Sequence, residues 1–363
     1  MLNRLLFPNN VTSLGLFVEL LLAGLVVIAT AIVLTRLADR FADERGLGKA
    51  FVGMLLLATV TSLPEVVTGA TAGAIGSVDM AFGAVFGSCS FNIVIIVIMN
   101  LVFAGGGSVL RAARPAQLLS SSFGIVMITL SLLAITSVQK FAGRPVVQQG
   151  IESLACVAIV ITYMSCMHLI HKFERREIAT QEKLPLLTPT SWMIPKLIGV
   201  SLITIAAAWW LTQTGDVLAE HPIELLGGRV LGKTVVGLSF LAAATSLPEI
   251  ATSITAVRIN NLDMALGNVF GSNMFNILVL PVVKLSTLAT GDSLMMVGAN
   301  FSANVNILAG LVPVLLTAVA VAGIAYRTQR RVLRLGFDSV VLMVIYVLGM
   351  IAILSTGSSP ASP

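Results

Sequence analysis

Apolar runs of about 20 residues or more, the length a helix needs to cross a bilayer, alternate with short polar loops along almost the whole chain. Ten such runs can be marked, at roughly 15–36, 49–75, 79–104, 117–138, 147–170, 195–214, 230–257, 263–288, 298–325 and 337–355. The one long polar break, 171–194, holds Lys172, Glu174, Arg175, Arg176, Glu177, Glu182 and Lys183. The pattern predicts an all-α polytopic membrane protein of ten transmembrane helices. Residues 1–170 form a first five-span half, 171–194 a linker loop and 195–363 a second five-span half. Because five is odd, the second half enters the membrane in the opposite orientation, as an inverted repeat of the first.

Composition agrees. The chain is 56% hydrophobic and 11% charged, with mean hydropathy +0.97, whereas soluble domains carry about 25% charged residues. The net charge of +5 does not indicate nucleic acid, because the basic residues form no dense patch and lie in short loops beside apolar runs. There they report orientation. With the N-terminus outside, the inner segments hold Arg36, Arg40, Arg45, Lys49, Arg111, Arg114, Lys172, Arg175, Arg176, Lys183, Lys196, Arg258, Arg327, Arg330, Arg331 and Arg334. Only Arg4, Lys140, Arg144, Arg229, Lys233 and Lys284 fall outside. The bias predicts both termini outside and a cytoplasmic linker. Trp192, Trp209 and Trp210 lie near the ends of span six, where interfacial aromatics belong. Cys89, Cys156 and Cys166 sit in or beside apolar runs, are odd in number and have no zinc spacing, so neither a disulfide framework nor a zinc site is expected. No cleaved signal peptide is expected after Arg4.

The halves also match residue by residue. Gly48–Met99 returns as Gly232–Val283, displaced by 184 positions without a gap. Both copies carry Thr-Ser-Leu-Pro-Glu, at Thr61–Glu65 and Thr245–Glu249. Both continue into Asp-Met-Ala and then Gly-x-Val-Phe-Gly-Ser-x-x-Phe-Asn-Ile, at Gly83–Ile93 and Gly267–Ile277. Proline within a helix has no N–H for the carbonyl four residues back, so Pro64 frees Val60 and Pro248 frees Ala244. Broken backbone at membrane depth is tolerated where it is buried or lines a cavity. The freed carbonyls, the hydroxyls of Thr61, Ser62, Thr245 and Ser246, and the carboxylates of Glu65 and Glu249 are hard oxygen donors suited to Ca²⁺ or Na⁺. On the following spans Ser88 and Asn92 are four apart and share a helix face, as do Ser272 and Asn276. Gly83, Gly87, Gly267 and Gly271 allow close helix approach.

A single Ser, Thr or Asn in a spanning helix is commonly a packing contact, and a single Pro a kink. An intramembrane glutamate is rarely structural, and here it is doubled at matching places, the arrangement of a transporter built on inverted repeats. Asp79 and Asp263 lie in short turns, where helix capping suffices; Lys49 and Lys233 can snorkel from an interface. Glu19 and Asp338 lie near span ends and read as structural.

These motifs resemble the alpha repeats of the cation/calcium exchanger superfamily, best known from sodium/calcium exchangers. The resemblance implies an antiporter with alternating access, not an enzyme. Its metal ligands would be Glu65, Glu249, Thr61, Ser62, Thr245, Ser246, Ser88, Asn92, Ser272 and Asn276. Spans one and six would be mobile gating helices. It implies exchange of Ca²⁺ against Na⁺, with H⁺/Ca²⁺ exchange or another divalent ion such as Mg²⁺ as alternatives and a cation channel as a further reading. Three departures stand out: Val60 and Ala244 replace the glycine before Thr-Ser, Ala84 and Cys89 replace two asparagines in the first copy, and both Asn92 and Asn276 are amides. The short linker leaves no room for the calcium-sensing domains of animal exchangers, so a minimal bacterial type in the inner membrane is expected. No cofactor, nucleic acid or protein partner is expected; the partners are inorganic cations and the lipid bilayer. Cys166-x-His168-x-x-His171 reads as an interfacial cluster at the end of span five, and no protease zinc motif occurs.

Overall fold

The computed structural model describes residues 12–74, 78–103, 108–180, 190–220, 245–288, 303–327, 331–332 and 335–357. The first half runs α1 (Ser13–Arg45), α2 (Lys49–Thr61), α3 (Leu63–Ala74), α4 (Val78–Val102), α5 (Pro115–Lys140) and α6 (Pro145–Thr180). The second runs α7 (Met193–Glu220), α8 (Leu247–Arg258), α9 (Leu262–Leu288), α10 (Ala303–Tyr326) and α11 (Phe337–Gly357). Among the described residues, eight helices are long and apolar enough to cross a membrane, and the bent pair α2–α3 makes a ninth. The expected seventh span is described only from residue 245, where it ends in α8. A two-residue antiparallel pairing of Arg331–Val332 with Leu335–Gly336 precedes α11.

Several helices outrun the apolar stretches that announce them. α1 has 33 residues, about 50 Å at about 1.5 Å per residue, against a hydrocarbon core of about 30 Å. Its charged end, Asp39–Arg45, stays helical because it lies beyond the apolar stretch, held by the Arg40–Glu44 pair at 2.9 Å. Gly46 then stops it at φ 60°, its N–H returning to the carbonyls of Ala42 and Asp43. α6 likewise continues to Thr180, so the first ten residues of the expected linker are helix.

α9 is the buried centre, with 78% of its apolar window enclosed against 17% for α11. It packs on α2, α3, α4, α5, α6 and α8. Its contact with α2 is backbone to backbone: a Cβ on Gly267 would stand 2.5 Å from the Ala50 carbonyl oxygen, one on Gly271 2.7 Å from the Met54 Cα, and one on Gly53 2.3 Å from the Met264 carbonyl oxygen. The close approach expected of Gly267 and Gly271 is therefore real. Gly83 and Gly87 have no described neighbour within 4 Å of such a Cβ, and the repeat partners of Ala50 and Met54, Thr234 and Leu238, lie outside the described residues.

α1 and α7 share a core of Leu16, Leu20, Ala23, Val27, Ala207, Ala208, Leu211 and Leu218, while Leu34, Ala38 and Ala42 of α1 and Met193 and Leu197 of α7 join the main core. The opposite face of α1 exposes Leu14, Leu21, Leu22 and Leu25, as a lipid-facing surface should. Glu19, left without a partner by the sequence, accepts hydrogen bonds from Trp210 Nε1 at 2.6 Å and Thr214 Oγ1 at 3.4 Å. Trp210 is thus an interhelical donor within the pair. At the other end Glu44 accepts from the backbone N–H of Thr190 at 3.1 Å and its hydroxyl at 2.8 Å, tying the α1 terminus to the chain entering α7.

Candidate cation site

Both repeats break their helix at the same residue. Ser62 has φ −94°, ψ 5° and Ser246 has φ −88°, ψ 10°, the bridge region that interrupts a helix without reversing it. The break precedes the proline by two residues, leaving Pro64 and Pro248 in the first turns of α3 and α8, where a missing N–H is harmless. α2 and α3 diverge by 47°. Upstream, Gly53–Leu57 forms a π-helical turn, a feature common beside functional sites. Glu174 of α6 fixes the start of α2 by accepting from the N–H groups of Ala50 and Phe51 at 3.1 and 2.8 Å.

The breaks bring the two repeats together. Ser62 Oγ donates to Glu249 Oε1 at 3.1 Å, across the repeat boundary. Glu249 is 1% exposed, and Thr61, Ser62 and Ser246 are buried beside the breaks. Thr61 Oγ1 donates to the Ala58 carbonyl at 3.4 Å, leaving its lone pairs available. Glu65 is half-buried and close enough to Glu249 for their charges to interact. Cys89 Sγ lies 3.5 Å from the carbonyl oxygen of Asn273. Those two residues are repeat mates, so their contact lies where the halves meet.

The unpaired atoms are the most telling feature. Buried oxygens with no hydrogen-bond partner include Glu65 Oε2, Asn92 Oδ1, Glu249 Oε2, Asn268 Oδ1, Ser272 Oγ, Asn273 Oδ1 and Asn276 Oδ1. Each buried unsatisfied group costs about 1–3 kcal/mol, and native chains leave few of them. They lie on α3, α4, α8 and α9, where Asp263 Oδ1 and the Nδ2 atoms of Asn92, Asn273 and Asn276 are unpaired as well. Carboxylate, amide and hydroxyl oxygens of this kind are the ligands Ca²⁺ takes, about 6–8 at a time, and Glu65 and Glu249 supply two carboxylates among them. No described group of three or more His, Cys, Asp and Glu offers a softer or more acidic alternative.

Of the ten residues singled out from sequence, Glu65, Glu249, Asn92, Ser272 and Asn276 carry unpaired buried oxygens, and Ser62 donates to Glu249. Thr61 and Ser246 lie at the breaks. Thr245 begins the described part of its repeat and has interactions of its own. Ser88 is only half-buried, while its mate Ser272 is wholly buried. Two residues were missed, Asn268 and Asn273. Asn268 Nδ2 donates to Thr252 Oγ1 and Ser253 Oγ, both at 2.9 Å, which turns its oxygen away from them. Both asparagines occur in one copy only, opposite Ala84 and Cys89, so a search for shared positions passes over them.

Other expectations change on inspection. Asp263 is not the cap of α9: Asn261 Oδ1 accepts from the Met264 N–H at 3.2 Å, while Asp263 pairs with Arg114 at 2.9 Å. Asp79 accepts from Asn306 Nδ2 at 2.5 Å. Lys49 does more than snorkel, since it bridges Asp39 and Asp43 at 2.7 and 2.6 Å. Asp338 accepts a hydrogen bond from the Ser108 hydroxyl. His171 stacks on Phe51 at 4.8 Å and Cys166 faces Met274 Sδ at 3.5 Å. The sequence reading also passed over a buried ion pair, Lys284 of α9 with Glu152 of α6, at 2.5 Å and 7% and 0% exposed.

Comparison with known proteins follows this geometry. The family described as "Sodium/calcium exchanger protein" matches residues 15–170 and 194–355. The chain is 29% identical over 253 residues to inner membrane protein YrbG of Escherichia coli, covering 65% of this chain and 68% of that protein. It is 38% identical over 85 residues to human sodium/potassium/calcium exchanger 5, covering 23% of this chain and 15% of that protein. Its fold is similar to that of the sodium-calcium exchanger NCX_Mj, solved with Na⁺ and Sr²⁺, with TM-score 0.65, 18% identity, and 94% and 99% of the two chains covered.

Proposed function

This chain belongs to the sodium/calcium exchanger protein family, a family of transporters rather than enzymes, and we propose that it is an antiporter moving Ca²⁺ against Na⁺ through the cluster at the two helix breaks. The observation that carries this reading is the set of unpaired buried oxygens that both repeats contribute, on Glu65, Asn92, Glu249, Asn268, Ser272, Asn273 and Asn276. Glu65 and Glu249 supply the formal charge, about −2, which one Ca²⁺, two Na⁺ or two protons balance. Asn92, Asn268, Ser272, Asn273 and Asn276 complete an oxygen shell, and Thr61, Ser62, Thr245, Ser246 and Ser88 line its approaches. A third Na⁺ would leave net positive charge in a low-dielectric site, which is costly.

The reading implies alternating access, with α1 and α7 as the moving pair. They share a core of their own and cover the site from outside the bundle, α1 against α8 and α7 against the break between α2 and α3. α1 also packs along α8, where Gly24 meets Leu247 and Thr35 Oγ1 reaches the Thr252 carbonyl at 3.5 Å. Such a pair can slide across the site as one body and open it to either face in turn. The protein spans the membrane with its 171–194 segment in the cytoplasm and both termini outside. The inner-membrane location of the Escherichia coli relative supports the same membrane here.

The test is radioactive calcium uptake into liposomes holding the purified protein, with outward Na⁺ and H⁺ gradients imposed separately. Uptake that follows the Na⁺ gradient supports the reading. Uptake that follows only the proton gradient makes the protein a proton/calcium exchanger, and uptake needing no counter-ion makes it a channel.

A further inference from the structure

We propose that Asp39 is the hub of a latch that holds the linker-side end of α1 against the turn between α8 and α9, so that the protein rests closed on that side and must break the latch to open there. The inference rests on the gating reading above, in which α1 and α7 move, and adds what restrains that motion. Asp39 Oδ1 accepts from Lys49 Nζ at 2.7 Å and from Asn261 Nδ2 at 2.6 Å. Lys49, the first residue of α2, also donates to the Asp39 carbonyl at 2.7 Å and pairs with Asp43 at 2.6 Å. One carboxylate oxygen thus joins α1, the start of α2 and the α8–α9 turn. That turn is itself fixed to α5: Arg114 pairs with Asp263 at 2.9 Å, and Gln117 Nε2 donates to the Asp263 carbonyl at 3.0 Å. Asn261 is held through its other amide atom, Oδ1, which accepts from the Met264 N–H at 3.2 Å.

The seam behind the latch is closed. On the stretch of α1 between Asp39 and the helix breaks, Leu34, Thr35 and Ala38 are wholly buried, and Thr35 Oγ1 reaches the carbonyl of Thr252 on α8, which is wholly buried too. Leu34, Ala38 and Ala42 share one core with Ala256, Val257 and Met264. At the junction itself lies a pocket of about 410 Å³, lined in part by Asp39, Lys49, Arg114, Asn261 and Asp263. The sealed seam therefore ends at a polar mouth. The side chains of Lys49 and Asp39 are 25% and 31% exposed, which suits a bond that must be broken and remade. A wholly buried ion pair is hard to separate, and a wholly exposed one holds little. The latch is also one-sided. Asp39 and Asp43 stand ten and six residues before Lys49, whereas Lys233, its repeat mate, has Ile223 and Gly227 at those places, and Asn261 has Ser77 as its mate. The second repeat does not reproduce the set, so the two faces differ in what holds them shut.

The experiment uses the full-length protein in detergent without added divalent ions, with Cys89→Ser, Cys156→Ser and Cys166→Ala, and with Thr35→Cys as a reporter in the seam between α1 and α8. The rate at which a water-soluble maleimide labels the reporter, relative to its rate in denaturant, reads the open fraction. With the latch intact, labelling should be slow. Asn261→Asp keeps the oxygen that caps α9 but sets a second carboxylate against Asp39. It should speed labelling by about tenfold or more, the scale of one lost hydrogen bond to a charged group. Asp39→Ala, which removes the hub outright, should speed it likewise. The double exchange Asp39→Asn/Asn261→Asp restores one donor and one acceptor in swapped places and should return the rate most of the way to the parent's. A reporter already fast in the parent, a rate unchanged by either single change, or a double variant as fast as Asn261→Asp each overturns the proposal. A merely structural role gives the last of these, because two substitutions then disturb the fold more than one. Labelling needs neither cation nor transport. Unchanged rates beside normal calcium exchange remove the latch alone, and the expected rates beside failed exchange remove the calcium reading alone.

Discussion

Glu249→Gln separates the charge of the site from its shape. Glutamine has nearly the volume of glutamate and keeps an oxygen at Oε1, so the 3.1 Å bond from Ser62 Oγ can persist. What disappears is one of two negative charges in a site without a described basic residue among its ligands. At about 4 Å and an effective dielectric of about 20, one unit pair is worth about 4 kcal/mol, and a divalent ion doubles that to about 8 kcal/mol gross. The glutamine oxygen can still ligate the ion as a neutral donor, which recovers part of this. The net loss is about 3–4 kcal/mol, on the order of a few hundredfold in Kd. Isothermal titration of Ca²⁺ into the purified parent and mutant reads it, with melting temperature in calcium-free buffer as the control for folding. A folded mutant that binds Ca²⁺ with the parent's Kd refutes the assignment of Glu249 as a charged ligand.

Glu65→Gln should weaken Ca²⁺ in the same assay, because repeat symmetry gives it the matching role; unchanged binding would leave the site with one carboxylate. Asn268→Ala removes two hydrogen bonds and one free oxygen, so it should lower stability by about 1–3 kcal/mol and Ca²⁺ affinity by about tenfold, read by denaturation and titration. Lys284→Met leaves Glu152 buried without this partner and should destabilise the protein by about 3–5 kcal/mol, with Lys284→Met/Glu152→Met recovering much of the loss; equal losses in single and double mutants would contradict it. Single cysteines at Thr180 and Ser358, in a background lacking the native ones, should react with impermeant reagent from outside at Ser358 only; the reverse pattern inverts the topology.

The gapless repeat made the fold class and the paired glutamates legible before any coordinates. Repetition is also where that reading stopped. Asn268 and Asn273 are absent from the first copy, and Lys284 and Glu152 lie outside the repeated segments, so neither pair announces itself by symmetry. Lys284 and Glu152 nevertheless lie inside expected spans, where ionisable residues signal themselves; what sequence withholds is that α6 and α9 place them in contact. Helix ends were misjudged where a charged segment remained helical, as at Asp39–Arg45, because apolar length marks the bilayer and not the helix. The break was expected from Pro64 and Pro248, but it falls at Ser62 and Ser246, since a proline stabilises the new first turn after the break it causes. The partners of Glu19 and Asp338 depend on distant helices and leave no local trace.

The central claim is that both helix breaks hold one divalent ion between them. Anomalous diffraction from crystals soaked in calcium, collected at long wavelength, tests it most directly. One ion held between the breaks gives a single peak on the line between Glu65 and Glu249, with carboxylate and amide oxygens at about 2.3–2.6 Å from it. A calcium peak bound elsewhere, with Glu65 and Glu249 outside its coordination sphere, would contradict it.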